Sequence, residues 1–307
     1  MYDLAIIGGG PAGVAAGVYA ARKRLKTVFI TKDFEGQSSV SLDIQNWIGS
    51  ANISGADLVK NFESHLRAYA TDIVEIKTGQ LVSSLKKEDT HFTITTLKET
   101  YSAKTILITS GSRRRELQAP GAKEFDNKGL TYCASCDGPL FADMDVAVVG
   151  GGNAAFDTAA QLVAYCKSVT ILNRSEHFKA DPSTIEQITK NPKIKIITDS
   201  EIKEVKGEKF VTGLTYTNKK TDTIIDLDVK GIFVEIGSLP NTNFVKGVVE
   251  LDAYDHIKID HKNQRTSVEG IWAAGDVTDG LYHQNNIAAG DAIKALEDIY
   301  LYIHYKK

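Results

Sequence analysis

An apolar strand, a glycine-rich turn and a helix of small residues follow one another twice along this chain. The first copy runs from Leu4–Ile7 through Gly8–Gly13 into a helix predicted over about Val14–Arg24. The second copy runs from Val146–Val149 through Gly150–Ala155 into another helix. Each helix leads into a further apolar strand. A strand, a crossover helix and a parallel strand form the β-α-β unit of dinucleotide-binding folds, so the duplication predicts two such folds.

A third segment of strand followed by glycine, Gly270–Asp276, lies near the C-terminus and precedes a helix predicted over about Ile287–Ile303. This position indicates that the chain returns to the first fold after completing the second. We therefore predict an α/β protein with two Rossmann-like domains, the second inserted into the first. The predicted outer domain covers residues 1–112 and 245–307, and the inserted domain covers residues 116–242.

The charge balance argues against several classes of function. The chain has 36 Lys and Arg residues against 39 Asp and Glu residues, so it lacks the basic excess of nucleic-acid or polybasic membrane binding. No apolar run approaches the roughly 20 residues that span a bilayer, and the acidic start Met1–Asp3 is unlike a signal peptide. Three cysteines cannot form a disulfide framework, so we expect a reducing, cytoplasmic setting.

The first glycine turn has the spacing of a phosphate-binding loop between a strand and a helix. Gly8 permits the tight turn, Gly10 lets the backbone approach a pyrophosphate, and Gly13 lets the helix pack on the strand. The acidic residue that usually binds the ribose is missing, because Thr31 ends the next strand. Asp33 could serve by a shift in register, or it could equally be a solvated turn residue.

The second glycine turn has alanine in its third place, and its next strand ends at Asn173, followed by Arg174. An acidic residue there would favour NAD, whereas arginine suits the 2′-phosphate of NADP. With Lys179 further on, the sequence favours NADPH, with NADH as the alternative. An exposed polar turn would have the same composition, so that interpretation also stays open.

Cys133 and Cys136 are separated by two residues, a spacing that allows a redox-active disulfide. A zinc site would need two more ligands at similar spacing, so no metal is predicted. Asp137 could take and return a proton beside the second thiol, or it could form the turn in Asp-Gly-Pro. Cys166 lies alone on a predicted helix and is expected to be a small buried hydrophobe.

Gly275 and Asp276 end a late strand, where the carboxylate could bind a ribityl hydroxyl of a flavin. His283, Gln284 and Asn285 directly precede the last predicted helix, so its N-terminus could meet the edge of the flavin ring. The histidine could instead be a surface or capping residue.

Together these motifs resemble the low-molecular-weight thioredoxin reductases, and the resemblance covers the whole chain in order. Its most specific feature is the position of the Cys pair, just before the second glycine turn. The segments Cys136–Phe141 and Lys179–Asp181 are closer to the flavoprotein subunit of alkyl hydroperoxide reductase, which carries an additional thioredoxin-like region.

The resemblance implies an FAD enzyme in which electrons pass from NADPH through FAD to the Cys133–Cys136 disulfide, and then to thioredoxin or a thioredoxin-like protein. It implies that Cys136 faces the flavin, that Cys133 attacks the partner, that Asp137 is the acid/base, and that the chain forms a homodimer. The implied FAD site in the outer domain contains Gly8, Gly10, Pro11, Ala12, Gly13, Gly36, Gln37, Asn46, Gly111, Gly275, Asp276, His283, Gln284 and Asn285. The implied nucleotide site in the inserted domain contains Gly150, Gly152, Asn153, Ala154, Arg174, Lys179 and Gly237.

Two alternatives follow from the departures from the family pattern. The family's nucleotide clamp, His-Arg-Arg with a further Arg, is reduced here to Arg174 and Lys179. The chain could therefore be a flavin disulfide reductase fed by ferredoxin or another donor. It could also be a non-enzymatic flavin-binding redox sensor or structural partner, in which case Cys136→Ser would leave its function intact, whereas the same change would abolish turnover in an enzyme.

Overall fold

The computed structural model describes residues 1–41 and 44–305. The chain divides into two compact units, an outer unit of residues 1–113 and 239–307 and an inserted unit of residues 114–238. The return to the outer unit lies earlier in the chain than the predicted crossing between residues 242 and 245.

Strands and α-helices alternate over residues 2–77 and 130–197, as expected for parallel β-α-β units, whereas the strands between residues 74 and 131 and between residues 194 and 273 follow one another without an α-helix. The strands are β1 Tyr2–Ile7, β2 Thr27–Ile30, β3 Val74–Lys77, β4 Val82–Lys87, β5 Phe92–Thr96, β6 Thr100–Ile108, β7 Ser112–Arg114, β8 Leu130–Thr131, β9 Asp145–Val149, β10 Ser168–Leu172, β11 Ile194–Ile197, β12 Ser200–Gly207, β13 Val211–Asn218, β14 Thr223–Asp228, β15 Gly231–Val234, β16 Ser238–Pro240 and β17 Ile271–Ala273. The α-helices are α1 Pro11–Arg22, α2 Gly55–Ala70, α3 Ala134–Asp137, α4 Asn153–Leu162, α5 Pro182–Thr189 and α6 Asn285–Tyr305. Short 3₁₀ helices cover Gly36–Ser39, Gly138–Phe141 and Asn243–Val245.

The main sheet of the outer unit has the order β3-β2-β1-β6-β5-β4, and β17 also pairs with β6. Strand β1 runs parallel to both of its neighbours, so that Ile7 lies opposite Ile30 on β2 and Ile108 on β6. After β1 the chain adds β2 and β3 on one side of that strand, and it later returns to place β6 on the other side. In open α/β sheets, ligands bind in the crevice at the carboxyl ends of the strands at such a point. The first glycine turn directly follows β1 at this edge.

Helix α1 begins at Pro11 rather than at the predicted Val14, so that prediction was wrong by most of a turn. Proline fits the first helical position because its fixed φ suits a helix and its missing N–H would be unpaired there anyway. The helix ends at Arg22 rather than Arg24, and Arg24 has a positive φ of 59° that ends helical geometry. The last three residues of the glycine motif therefore belong to the helix, which brings its free N–H groups to the turn.

The inserted unit has a five-stranded parallel sheet of order β11-β10-β9-β15-β8 and an antiparallel sheet of order β12-β13-β14. Strand β9 lies between β10 and β15 and pairs in parallel with both, which repeats the arrangement around β1. Helix α4 covers this sheet through Phe156, Ala159 and Leu162, all fully buried. All but the first residue of β9 and of β10 are buried, as is typical of strands covered on both faces.

The predicted fold class, two Rossmann-like folds with the second inserted into the first, is confirmed. Within residues 1–41 and 44–305, every helix is too short or too polar to cross a membrane.

Candidate functional site

The turn after β1 leaves no room for side chains at two of its glycines. A Cβ atom on Gly8, whose φ is 123°, would lie 2.2 Å from the carbonyl oxygen of Thr109. A Cβ atom on Gly13 would lie 1.9 Å from the carbonyl oxygen of Gly8. At Gly10, in contrast, no described atom lies within 4 Å of the Cβ position. Gly8 and Gly13 are therefore required by packing, whereas the space above Gly10 is open to a ligand.

Thr31 and Asp33 stabilise this turn instead of offering a carboxylate to a ribose. Thr31 is buried, and its hydroxyl donates a hydrogen bond to the carbonyl oxygen of Asp33. Both residues lie close to the Cβ position of Gly9. The carboxylate of Asp33 accepts a hydrogen bond from the amide of Glu35 at 3.2 Å and pairs with Lys32 at 3.5 Å. The structure thus favours the interpretation of Asp33 as a turn residue.

Polar side chains from distant parts of the outer unit meet at the N-terminus of α6. Asn285 accepts a hydrogen bond from the Ser38 hydroxyl at 2.9 Å, and Gln284 accepts one from the Asn46 amide at 3.1 Å. Asn286 donates to the carbonyl oxygen of Asn46 at 2.7 Å. The structure therefore brings together three predicted residues and two that the sequence did not predict, Ser38 and Asn286.

Gly275 lies between the start of α6, where these polar side chains meet, and the start of α1 at the first glycine turn. A Cβ atom on Gly275, whose φ is 78°, would lie 3.4 Å from the Cβ of Ala12 and 3.2 Å from the Cβ of Ala288. The next residue, Asp276, is half-buried and has no hydrogen-bond or ion-pair partner in the part of the chain that the structure describes. His283 is exposed, with its ring 6.2 Å from that of His256.

The remaining predicted residues of the outer unit lie in loops. Gly36, with a φ of 58°, begins the 3₁₀ helix that carries Ser38, and Gln37 next to it is half-buried. Gly111 has a φ of 63° and its carbonyl oxygen accepts a hydrogen bond from the amide of Asn241 at 2.9 Å.

The chemistry of these residues fits an FAD in the outer unit. The turn at the start of α1 offers helix N–H groups to a pyrophosphate, with open space at Gly10. Asp276 offers a carboxylate to a hydroxyl, and burying such a group without a partner would be costly. The side-chain amides at the start of α6 offer donors and acceptors to a polar ring edge.

The turn after β9 repeats the geometry of the first turn. A Cβ atom on Gly150 would lie 2.2 Å from the carbonyl oxygen of Glu235, whereas no described atom lies within 4 Å of the Cβ position of Gly152. Helix α4 begins directly after Gly152, with Asn153 and Ala154 in its first turn. The amide group of Asn153 donates to the Asp181 carboxylate at 3.2 Å, so this side chain ties α4 to the start of α5.

The loop after β10 lies against this second turn. Asn173 is buried, its amide donates to the carbonyl oxygens of Ser175 and His177, and its side chain contacts Gly151. The amide of Lys179 donates to the carbonyl oxygen of Gly151 at 2.7 Å. The side chains of Arg174 and Lys179 are exposed. Asn173 therefore holds the loop, and both cations remain accessible beside the glycine turn.

Glu235, which the sequence analysis missed, lies at the same turn. Its amide donates to the carbonyl oxygen of Val149 at 2.8 Å, and its carboxylate accepts a hydrogen bond from the Thr158 hydroxyl at 2.7 Å. Burial raises the pKa of this carboxyl group from 4.5 to about 7. Gly237 follows on this loop with a φ of 96°, and its carbonyl oxygen accepts a hydrogen bond from the amide of Arg115 at 3.1 Å.

Cys133 and Cys136 form a disulfide at the start of the short helix α3, directly after β8. The amide of Cys136 donates to the sulfur of Cys133 at 3.2 Å, and the amide of Asp137 donates to the carbonyl oxygen of Cys133 at 3.0 Å. Both cysteines are partly exposed. The carboxylate of Asp137 accepts a hydrogen bond from the Thr131 hydroxyl. This contact fixes the position of an acid that is one residue from the second cysteine.

Cys166, the third cysteine, is fully buried among apolar side chains of the inserted unit. Burial raises the pKa of its thiol to about 11, which keeps it protonated and unreactive. The prediction of a small buried hydrophobe is confirmed, but the prediction that Cys166 lies on a helix was wrong, because α4 ends at Leu162.

Comparisons with known proteins agree with this geometry. The profile of the family described as "Pyridine nucleotide-disulphide oxidoreductase" matches residues 2–292. The chain is 38% identical over 296 residues to an alkyl hydroperoxide reductase subunit of Pseudomonas putida, covering 96% of this chain and 56% of that protein. It is 35% identical over 294 residues to "NADH dehydrogenase" of Bacillus subtilis (strain 168), covering 96% and 57%. The chain thus spans little more than half the length of these relatives.

Two solved structures match the chain over nearly their full length. The thioredoxin reductase from Streptococcus pyogenes MGAS5005 superimposes with a TM-score of 0.90 at 34% identity, covering 99% of this chain and 98% of that one. The thioredoxin reductase from Giardia duodenalis superimposes with a TM-score of 0.92 at 33% identity, covering 98% of both chains.

Proposed function

The chain belongs to the pyridine nucleotide-disulphide oxidoreductase family and is an oxidoreductase, and on this basis we propose that it is a thioredoxin reductase-like FAD enzyme. In this proposal, electrons from NADPH or NADH reach the Cys133–Cys136 disulfide and then a disulfide of a thioredoxin or thioredoxin-like protein. The outer unit is the FAD-binding domain, and the inserted unit is the NAD(P)-binding domain that carries the Cys pair.

The observation that carries the proposal is the disulfide in the same unit as a nucleotide-type glycine turn. Once reduced, Cys133 can attack a disulfide sulfur of the partner, which forms a mixed disulfide and releases the partner's other sulfur as a thiolate. Cys136 then displaces the partner, which restores the Cys133–Cys136 bond and leaves the partner as a dithiol. The amide of Cys136 favours negative charge on the sulfur of Cys133, which supports Cys133 as the attacking thiol.

Asp137 supports proton transfer at this pair. It lies next to Cys136, and the Thr131 hydroxyl holds its carboxylate. We assign Asp137 the role of taking the proton of Cys136 when that thiol attacks the mixed disulfide. Bound FAD would supply a two-electron carrier that accepts from a nicotinamide and reduces a disulfide. The open turn at Gly10, Asp276 and the amides at the start of α6 are the residues we assign to its binding.

The surroundings of the second turn favour NADPH over NADH as the donor. Arg174 and Lys179 are exposed beside the turn, where a 2′-phosphate would meet them, and Asn173 puts no negative charge at the end of β10. The acceptor and the homodimer rest on the family resemblance, and the cytoplasmic location rests on the low number of cysteines. The alkyl hydroperoxide reductase and thioredoxin reductase names of the relatives support a thioredoxin-like acceptor.

Replacing Gly152 with alanine should block donor binding without disturbing the fold. The backbone at Gly152 is extended, with φ −99° and ψ −179°, and no described atom is within 4 Å of the new methyl group. The methyl group would occupy the space needed by the pyrophosphate, so we expect KM for NADPH to rise by about a hundredfold or more, equivalent to roughly 3 kcal/mol. Initial rates with NADPH and NADH, together with the thermal midpoint and the FAD content, measure this.

An unchanged KM in a folded, FAD-loaded Gly152→Ala protein would contradict the assignment of the nucleotide site. That result would favour ferredoxin or another donor as the source of electrons. The matched change Gly247→Ala, at a glycine with open space but outside both turns, controls for the alanine itself. Its φ of 80° predicts some loss of stability but no change in KM.

A further inference from the structure

Glu235 lies at the point of the inserted sheet where a nucleotide would cross it. It directly follows β15, and the order β10-β9-β15 makes the space between β9 and β15 the point where the chain reverses direction across the sheet. Ligands of doubly wound sheets bind in the crevice at such a point. The contact between the Glu235 carbonyl oxygen and the Cβ position of Gly150 places the residue directly beside the glycine turn.

The carboxyl group of Glu235 is poised between two protonation states. Burial has the largest effect on this carboxyl group and raises its pKa to about 7. The Thr158 hydroxyl on α4 and the positive charge of Arg114 lower its pKa, and the negative charge of Asp157 on α4 raises it. The Val149–Gly150 turn after β9 meets Glu235 through backbone atoms, which do not titrate. The group can therefore gain or lose its proton near neutral pH.

A nicotinamide ring changes charge in the proposed reaction. The oxidised ring carries one positive charge, and the reduced ring is neutral. The adenine end of the nucleotide is assigned to Arg174 and Lys179 after β10, so the nicotinamide end extends past Gly152 toward the β15 side of the turn. Glu235 places a carboxyl group on that side, directly beside the Gly150 turn.

We propose that Glu235 is a specificity-determining residue that distinguishes the oxidised from the reduced nicotinamide nucleotide, an inference that rests on the proposed function. Ionised Glu235 attracts the positively charged ring and retains the oxidised product. Protonated Glu235 does not attract the ring, so the reduced nucleotide then competes better with the oxidised nucleotide for the same site. Binding of the oxidised nucleotide therefore releases a proton from Glu235 to solvent wherever that group is still protonated.

The test measures nucleotide affinity rather than turnover. Calorimetry on the FAD-loaded, oxidised protein gives Kd for NADP⁺ and for the tetrahydronicotinamide analogue of NADPH, which has a neutral ring and cannot donate a hydride. For NADP⁺, the ratio of the Glu235→Gln Kd to the wild-type Kd should rise about tenfold between pH 6 and pH 8.5, as one pKa unit of coupling corresponds to a factor of ten. For the analogue, the same ratio of Kd values should not change with pH. Titration of the 2′-phosphate affects the wild type and the variant equally, so it cancels in both ratios.

Two further variants sharpen the test. Thr158→Val removes a hydrogen bond that favours the ionised form, so the pH at which the NADP⁺ affinity changes should move upward. Glu208→Gln makes the same chemical change at an exposed site on the loop between β12 and β13, and it should behave as wild type.

A pH-independent ratio for NADP⁺ would overturn the inference and leave the proposed function standing. Equal weakening of NADP⁺ and the analogue at all pH values would also overturn it, because Glu235 would then support the loop without sensing ring charge. If the wild-type protein binds neither NADP⁺ nor NAD⁺, the proposed donor fails, and the inference fails with it.

Discussion

Cys136→Ser should reduce disulfide turnover by at least about a thousandfold, because no other group can restore the Cys133–Cys136 bond and release the partner. Serine has nearly the shape of cysteine, and the site is partly exposed, so the fold should be retained. The measurement is the rate of thioredoxin reduction with NADPH, followed by free thiol formation. Reduction of ferricyanide, which needs no thiol, should stay within about twofold of wild type.

The same variant should trap the partner. Cys133 can still form the mixed disulfide, but the introduced hydroxyl cannot displace the partner, so a covalent adduct with thioredoxin should accumulate. Cys166→Ala is the matched control, because that thiol is fully buried in the core and should affect neither rate nor trapping. Full disulfide turnover in Cys136→Ser would contradict the proposed mechanism, because it would show that electrons reach the acceptor without the Cys133–Cys136 pair.

Gly10→Ala should empty the flavin site while leaving the fold intact. The backbone at Gly10 is extended, with φ −75° and ψ −173°, and no described atom lies within 4 Å of the added methyl group. The methyl group would occupy the space assigned to the FAD pyrophosphate. We expect FAD affinity to fall by about a hundredfold or more, equivalent to roughly 3 kcal/mol. The FAD content of the purified protein and the Kd of added FAD, followed by flavin fluorescence, measure this.

A comparison with Gly13→Ala distinguishes an effect on FAD binding from an effect on the stability of the fold. A methyl group on Gly13 would lie 1.9 Å from the carbonyl oxygen of Gly8, so Gly13→Ala should lower the thermal midpoint even without FAD. Gly10→Ala should leave the midpoint of the FAD-free protein within a degree or two of wild type, as surface changes usually do. Normal FAD content in Gly10→Ala would show that no phosphate approaches this turn.

The parts of the fold that the sequence predicted depend on short-range patterns. The predicted strands Leu4–Ile7 and Val146–Val149 lie within β1 and β9, because each is a short apolar run that ends directly at a glycine turn. The glycine turns were recognisable because steric exclusion at Gly8 and Gly13 allows no other residue type. The resemblance to thioredoxin reductases, which rests on such local motifs, is confirmed by the matching structures.

The parts that the sequence missed depend on contacts between distant residues. Ser38 meets Asn285 across 247 positions, and no local pattern marks a single serine for this role. Glu235 carried a local signal, a charged residue at the carboxyl end of an apolar strand, but its significance depends on β15 pairing with β9. Asn173 was interpreted only as a position that lacks the acidic residue favouring NAD. Its burial against Gly151 shows that it also has a role within the loop.

An anaerobic titration of the FAD-loaded protein with NADPH and with NADH tests the central claim most directly. If the flavin and the Cys133–Cys136 disulfide exchange electrons, the flavin absorbance should reach its end point only after about two equivalents of nucleotide, one for each two-electron centre. About two free thiols per chain should form at the same time. Complete bleaching after a single equivalent, with the disulfide intact, would contradict the account.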